Sequence, residues 1–205
     1  MSGSLFVISA PSGAGKTSLV HALLATNPQI DLSVSYTTRA PREGEVDGVA
    51  YHFVSRETFS EMAGRGEFLE SAEVYGNYYG TSQSWINQEN AKDRDILLEI
   101  DWQGAIQVRH LFPECVSIFI LPPSLEALEQ RLKGRGKDSQ EIIARRMAAV
   151  RCDVAHIAEF DYVIINDNLN EALHEFNAVV LAARLRGARQ LTRHQTLINQ
   201  LQHPE

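Results

Sequence analysis

The sequence predicts an α/β fold: about five parallel strands covered by helices, with a small mixed β insertion and a helical lid. Three observations carry this. Short, near-continuous apolar runs alternate with segments of helical period, the pattern of strands buried on both faces. The first run leads into a small-residue loop and then a helix opening with Lys-Thr. Two stretches, one rich in turns and aromatics and one rich in arginine, interrupt the alternation.

Residues 5–9 form the first strand, followed by Ala10-Pro11-Ser12-Gly13-Ala14-Gly15 and a helix opening at Lys16-Thr17-Ser18. These are the parts of a P-loop. Backbone N–H groups cradle phosphates at a helix N-terminus, the Lys reaches the terminal phosphate oxygens, and the Thr hydroxyl suits Mg²⁺. Ala10 stands where the strict pattern has Gly, but the close approach to phosphate falls on Gly13 and Gly15. The chain is therefore expected to bind a nucleotide. The helix runs to about residue 25 with Leu19, Leu23 and Leu24 on one face, and Asn27-Pro28 ends it. Residues 30–36 alternate apolar and polar and read as one strand (Ile30, Leu32, Val34, Tyr36).

Turn chemistry then dominates up to Gly80, with short strands at 51–54 and 74–75 and a helix over 57–63. Apolar runs at 96–100, 116–121 and 162–165 supply the remaining core strands, and the right-handed crossover rule sets their handedness. Pro122-Pro123-Ser124 introduces a helix with Leu125, Leu128 and Leu132 on one face. Another carries Leu169, Ala172, Leu173, Phe176, Val180 and Ala183. After the break at Gly134-Arg135-Gly136, a helix starts at Asp138 with Glu141 completing a capping box, and Ile143, Met147, Val150 and Val154 line its apolar face. Beyond Leu191 a weak amphipathic pattern (Leu197, Ile198, Leu201) has no evident role: it could pack on a second copy, but solvated fraying is the commoner fate of such a segment.

Composition narrows the function classes. At 205 residues, 44% hydrophobic and 22% charged, the chain suits one ordinary globular domain. A net charge of −7 argues against a general nucleic-acid or anionic-membrane surface. Cys115 and Cys152 lie far apart without CxxC spacing, so neither a disulfide framework nor a zinc site is expected. No run of apolar residues is long enough for a membrane span, and a cytoplasmic soluble protein is expected. The 7 histidines are scattered without an i, i+4 pair for a metal.

Against that background the arginine-rich stretch stands out. Residues 131–151 carry Arg131, Lys133, Arg135, Lys137, Arg145, Arg146 and Arg151 against Asp138 and Glu141 alone. A positive segment in an acidic protein, close in sequence to glycines, suits a mobile flap over a polyphosphate, and Arg suits forked phosphate contacts. Residues 35–81 have no such excess, but Arg39 and Arg42 with Tyr51 and Tyr79 suit a local clamp for one phosphate.

Long motifs now carry a resemblance. The run 35–45 (SYTTRAPREGE), continued by 47–53 (DGVAYHF), resembles the signature of guanylate kinases. Gly76-Asn77-Tyr78-Tyr79-Gly80-Thr81, Glu99-Ile100-Asp101-Trp102-Gln103-Gly104, Gly134-Arg135-Gly136 and Val163-Ile164-Ile165-Asn166-Asp167 match further blocks in order. The resemblance covers roughly residues 4–187. It implies a P-loop nucleotide kinase core at 1–34, 85–124 and 156–205, the last with a helical tail. It further implies a GMP-binding insertion at 35–84 and a lid at 125–155.

Carried over by position, the resemblance implies that Arg39, Arg42, Tyr51 and Tyr79 hold the GMP phosphate. Ser35, Glu70 and Thr81 would read guanine, and Glu45, Glu99 and Asp101 would line the region between GMP and the metal. On the ATP side it implies the loop residues Ser12 to Ser18, with Arg131, Arg135 and Arg146 on the phosphates and Asn166 near the adenine. Lys16, Arg39, Arg42, Arg135 and Arg146 would be the catalytic cations. Mg²⁺, met by Thr17 and otherwise largely by water, is the implied cofactor. Glu99 departs from the family pattern, where Asp is common. The implied activity is phosphoryl transfer from ATP to GMP in purine nucleotide metabolism, with no nucleic-acid or membrane partner. Two other readings are a non-catalytic scaffold on this fold and a P-loop kinase for another small substrate. Intact Lys16, Thr17 and lid arginines speak against the first, and the guanine-reading set speaks against the second.

Overall fold

The computed structural model describes residues 3–203 apart from 91, 93 and 135–139. Leu5–Ser9 (β1) is buried along its whole length, and the P-loop passes from it into Lys16–Thr26 (α1). Ile30–Leu32 (β2) and Tyr36–Thr37 (β3) follow. The single strand expected over 30–36 is thus two. The chain leaves one sheet at Leu32 and enters another at Tyr36, with Ser33 and Ser35 buried at the crossing. The apolar alternation does not mark one inward face: across the break the buried residues are Ser33, Ser35 and Thr37, while Leu32, Val34 and Tyr36 are half-buried.

His52–Phe53 (β4), Arg56–Gly64 (α2), Phe68–Val74 (β5) and Asn77–Ser82 (β6) build the insertion. Its sheet has the order β4-β3-β6-β5 and is mixed: β3 runs parallel to β4, while β6 is antiparallel to both β3 and β5. The Ser55 hydroxyl caps α2 by accepting the Thr58 N–H at 3.1 Å. The short strand expected at 74–75 is the end of a seven-residue strand. Gln83–Asn90 (α3) then returns the chain to Asp95–Glu99 (β7), Trp102–Leu111 (α4) and Val116–Leu121 (β8). Leu125–Gly134 (α5), Gln140–Ala155 (α6), Tyr162–Ile165 (β9) and Leu169–Arg184 (α7) follow, and Gly187–Arg193 (α8) and Gln195–Gln202 (α9) form the tail. The capping box expected at Asp138 lies outside the described residues.

Strands β2-β7-β1-β8-β9 make the expected five-stranded parallel sheet. One face packs under α1 and α7 through Phe6, Ile8, Leu19, Leu23 and Phe176, all fully buried. The other packs under α3 and α4 through Val7, Ile86, Leu98, Val108 and Phe119. Each such side chain is worth roughly 1.5–3 kcal/mol of burial. At the N-terminal edge of the sheet, Asp95 is a buried clasp. Its carboxylate accepts the Ser4 N–H at 2.7 Å and pairs with Arg184 at 2.6 Å and Arg189 at 3.3 Å. Leu128, Leu132, Ile143 and Val150 form a separate apolar cluster that joins α5 to α6. No helix among the described residues is long and apolar enough to cross a membrane.

Candidate active site

A cleft of about 410 Å³ opens where the P-loop leaves β1 and where residues 99–103 leave β7. This is the carboxyl end of a parallel sheet, where open α/β folds bind ligands. Gly13 (φ 96°) and Gly15 (φ 94°) adopt left-handed backbone that side chains rarely enter. A Cβ on Gly15 would also lie 2.3 Å from the Asn166 amide nitrogen.

That contact shows how the loop is held. Asn166 is buried, and its amide donates to the Ala14 carbonyl at 2.8 Å. Arg131 donates to the same carbonyl at 3.3 Å and to the Asn166 carbonyl at 2.8 Å. Both residues brace the back of the P-loop. Ser12, Gly13, Gly15, Lys16 and Thr17 line the cleft, Ala14 is fully buried, and Ser18 is exposed on the first turn of α1.

At the phosphate end, the Lys16 ammonium donates to the Ile100 carbonyl at 3.0 Å, and the Thr17 hydroxyl donates to Glu99 at 2.5 Å. Asp101 caps α4 by accepting the Gly104 N–H at 2.9 Å, and burial raises its pKa above the ordinary carboxylate value. Among the described residues, no group of three or more His, Cys, Asp or Glu side chains is placed to hold a metal by itself. Thr17 and Glu99 still offer adjacent hard oxygens, a donor set that fits Mg²⁺, an ion that keeps several waters.

The insertion forms the facing wall. Glu45 grips the Arg39 guanidinium through two hydrogen bonds of 2.9 and 3.0 Å and accepts the Arg42 backbone N–H at 2.7 Å. Burial alone would raise the Glu45 pKa, but those bonds outweigh it and hold it below the ordinary value. The Glu45 carboxylate is thereby committed to aiming Arg39. The guanidinium lies over the Tyr51 ring at 5.3 Å, and Tyr51 meets Tyr79 edge-on at 5.9 Å. Burial, then the Glu99 charge, pushes the Tyr51 phenol up to about 12, so it stays a donor near neutral pH. Arg42 is exposed and lines the same cleft.

At the base end sits a buried carboxylate. Glu70, 4% exposed, faces the cleft from β5, and Thr81 lies opposite it on β6. The Thr81 hydroxyl donates to Glu70 at 2.6 Å and is itself fully buried, so it stands behind the carboxylate. Burial pushes Glu70 up to about 7, and Asp101 adds to the rise against the pull of Thr81 and Lys16. The other carboxylate oxygen rests against Gly104, where a Cβ would come within 2.3 Å of it. Ser35 is buried beside the cleft and lines it.

From the arginine-rich segment, Arg146 enters the cleft on α6 with Ala149, Cys152 and Asp153. Arg135 lies outside the described residues. Tyr75, Trp102 and Asp153 are among the cleft residues that had no role in the sequence reading. Tyr75 has φ 50° in the β5–β6 turn, the one described non-glycine residue with positive φ. Trp102 and Asp153 meet each other across the base of α6. The seven-residue interval from Arg146 to Asp153, which puts both on one helical face, was the available signal.

The site therefore has a phosphate cradle with a lysine at one end, and an Arg-Tyr clamp beside a buried carboxylate at the other. Such a cleft suits two phosphate-bearing nucleotides brought together. Comparison with known proteins points the same way. The sequence model of a family described as guanylate kinase matches residues 2–183. A guanylate kinase of Methylobacillus flagellatus is 58% identical over 201 residues, 98% of this chain and 100% of that one. One of Thiobacillus denitrificans is 60% identical over 198 residues, covering 97% and 95%. The crystal structure of guanylate kinase from Anaplasma phagocytophilum superposes with a TM-score of 0.78 at 36% identity, covering 91% of this chain and 89% of that one. This chain belongs to the guanylate kinase family.

Proposed function

We propose that this chain transfers the γ-phosphoryl group of ATP to the phosphate of GMP, giving ADP and GDP, as a step of purine nucleotide metabolism. The observation that carries the reading is the buried Glu70 at the far end of a cleft that begins at Lys16. Guanine presents N1–H and N2–H₂ as adjacent donors, and one carboxylate accepts both. Ser35 has a hydroxyl suited to O6, and Thr81 holds Glu70 in place from behind. Arg39, Arg42, Tyr51 and Tyr79 bind the GMP phosphate, with Glu45 setting the Arg39 fork.

A GMP phosphate oxygen is already an anionic nucleophile near neutral pH, so no side chain need remove a proton. The catalytic problem is the meeting of two anions in line. Lys16 follows the transferring group, and Arg146, with Arg135 expected from the same lid, offsets charge on the ATP phosphates. Asn166 and Arg131 act on ATP through the loop they brace. Thr17 and Glu99 would hold Mg²⁺, whose charge would offset that of the phosphates. Asp101 lies near Lys16 and orders the start of α4.

Release of ADP from ATP, measured separately with GMP, AMP, CMP and UMP, tests the reading. Sites built on buried hydrogen bonds reject a mismatched partner by roughly 10⁴–10⁵. Turnover with GMP alone is the expected result. Comparable turnover with AMP would refute it.

A further inference from the structure

Helix α6 carries one stripe that begins in the cleft and ends on the core. Arg146, Ala149 and Asp153 stand at i, i+3 and i+7, and all line the cleft. Three residues further, just past the last residue of the helix, comes His156. Its imidazole lies flat on the Trp102 indole, ring centroids 3.6 Å apart and planes 9° from parallel. Glu159 fixes that imidazole through Nδ1 at 2.7 Å. Asp153, one turn before His156, stands beside the Trp102 side chain, close enough for the indole N–H, its one polar group, to pull the Asp153 pKa down against burial. The face and the polar edge of a single core side chain are thus both engaged by the end of α6.

Trp102 is well placed to be a fixed point. It is the first residue of α4, directly after the Asp101 cap, and it packs against the core cluster beneath the sheet. Arg146 lies ten residues from His156, about 15 Å along a helix at 1.5 Å per residue. A tilt of roughly 10° about the Trp102 end would carry Arg146 about 3 Å, well beyond the tolerance of a hydrogen bond. At that end of α6 Asp153 also faces the charge of Lys16 from the P-loop and lies near Tyr75 of the insertion. The α5–α6 cluster of Leu128, Leu132, Ile143 and Val150 holds the body of the helix, and Val154 near its end packs on both that cluster and the core cluster that Trp102 joins.

We propose that Trp102 is a positioning residue for phosphoryl transfer: it is the post on the core, gripped by Asp153 and His156, that sets where α6 delivers Arg146. The proposal rests on the phosphoryl-transfer reading of the cleft. It adds a residue that touches no reacting atom and acts on the ATP side alone.

The test is steady-state kinetics on Trp102→Phe and Asp153→Ala, varying ATP and GMP separately. Trp102→Phe keeps a ring beneath His156 and loses the N–H. Each change is expected to lower kcat about tenfold to a hundredfold, the order of effect of an ångström-scale misplacement, and to raise KM for ATP. KM for GMP should stay within about twofold, and the double variant should be no worse than either single one, because both remove the same grip. Asp153→Asn should recover most of the loss, since an amide oxygen can accept the indole N–H. An equal rise in both KM values, or losses that multiply in the double variant, would overturn the proposal. So would Asp153→Asn performing as poorly as Asp153→Ala.

A second measurement needs no turnover, so it separates failure of the post from failure of the activity. The chain has 2 tryptophans, and Trp85→Phe leaves Trp102 as the sole emitter. In that background His156→Ala should brighten and red-shift the emission as the stacked ring is lost. An unchanged spectrum would refute the stack even in a fully active enzyme. Absence of wild-type turnover with GMP, beside the expected spectral change, would refute the activity and leave the post standing.

Discussion

Glu70→Gln separates what the buried carboxylate does for the fold from what it does for the substrate. Burial raises the Glu70 pKa from 4.5 to about 7, so the stability linked to its proton is fully present below pH 4.5 and is lost as the pH rises through about 7. At about 1.4 kcal/mol per pH unit, the loss by pH 8 is about 3 kcal/mol. Glutamine is uncharged at every pH, and its amide oxygen can still accept from Thr81. The variant should therefore equal the wild type near pH 4.5 and exceed it by up to about 3 kcal/mol at pH 8 in denaturant unfolding without nucleotide. Its efficiency with GMP should fall sharply, because the amide cannot accept both guanine donors, while weak activity with AMP should change far less. A variant less stable than wild type at pH 8, or equal losses with GMP and AMP, would refute the reasoning.

Three further outcomes follow from the geometry. Lys16→Ala should leave unfolding unchanged and cut turnover by several orders of magnitude, measured by ADP release, because a fixed cation leaves the transferring group. Arg146→Ala should lower kcat more than it weakens GMP binding, with calorimetric titration of GMP as the check. Asp95→Ala removes one carboxylate shared by Ser4, Arg184 and Arg189. It should cost about 3–5 kcal/mol of stability by denaturant titration, with the nucleotide affinities of the surviving folded protein unaltered.

The sequence was most readable where one physical demand dominates. Strands buried on both faces must be apolar throughout, so residues 96–100 and 116–121 could be placed without help. A P-loop needs left-handed backbone at fixed points, so Gly13 and Gly15 identified it. Legibility failed where function or a change of sheet interrupts a pattern. Strand β5 was seen only at its end because Glu70, an inward carboxylate, breaks the apolar face at the place the site requires it. Helix α4 was missed because its buried face is Gly104, Ala105 and Val108, small residues with little hydrophobic signal. Helix α3 hides Ile86 among polar neighbours. The resemblance named Glu45, Arg131 and Asn166, but only the coordinates reveal what each one grips.

Gly104 has a consequence for how such a site can change. Hydrogen is the largest substituent that position 104 accepts while Glu70 keeps its place, since a methyl carbon would meet the carboxylate oxygen at 2.3 Å. The two positions are locked together although they lie on different elements. A side chain gained at 104 must be matched by a shorter or displaced acid at 70, so a substitution made first at 104 pushes the acid out of its place. Paths to a new base preference that begin at 104 are thus closed to single substitutions. Those that begin at 70 remain open, because shortening the acid creates the room that a residue at 104 can later fill.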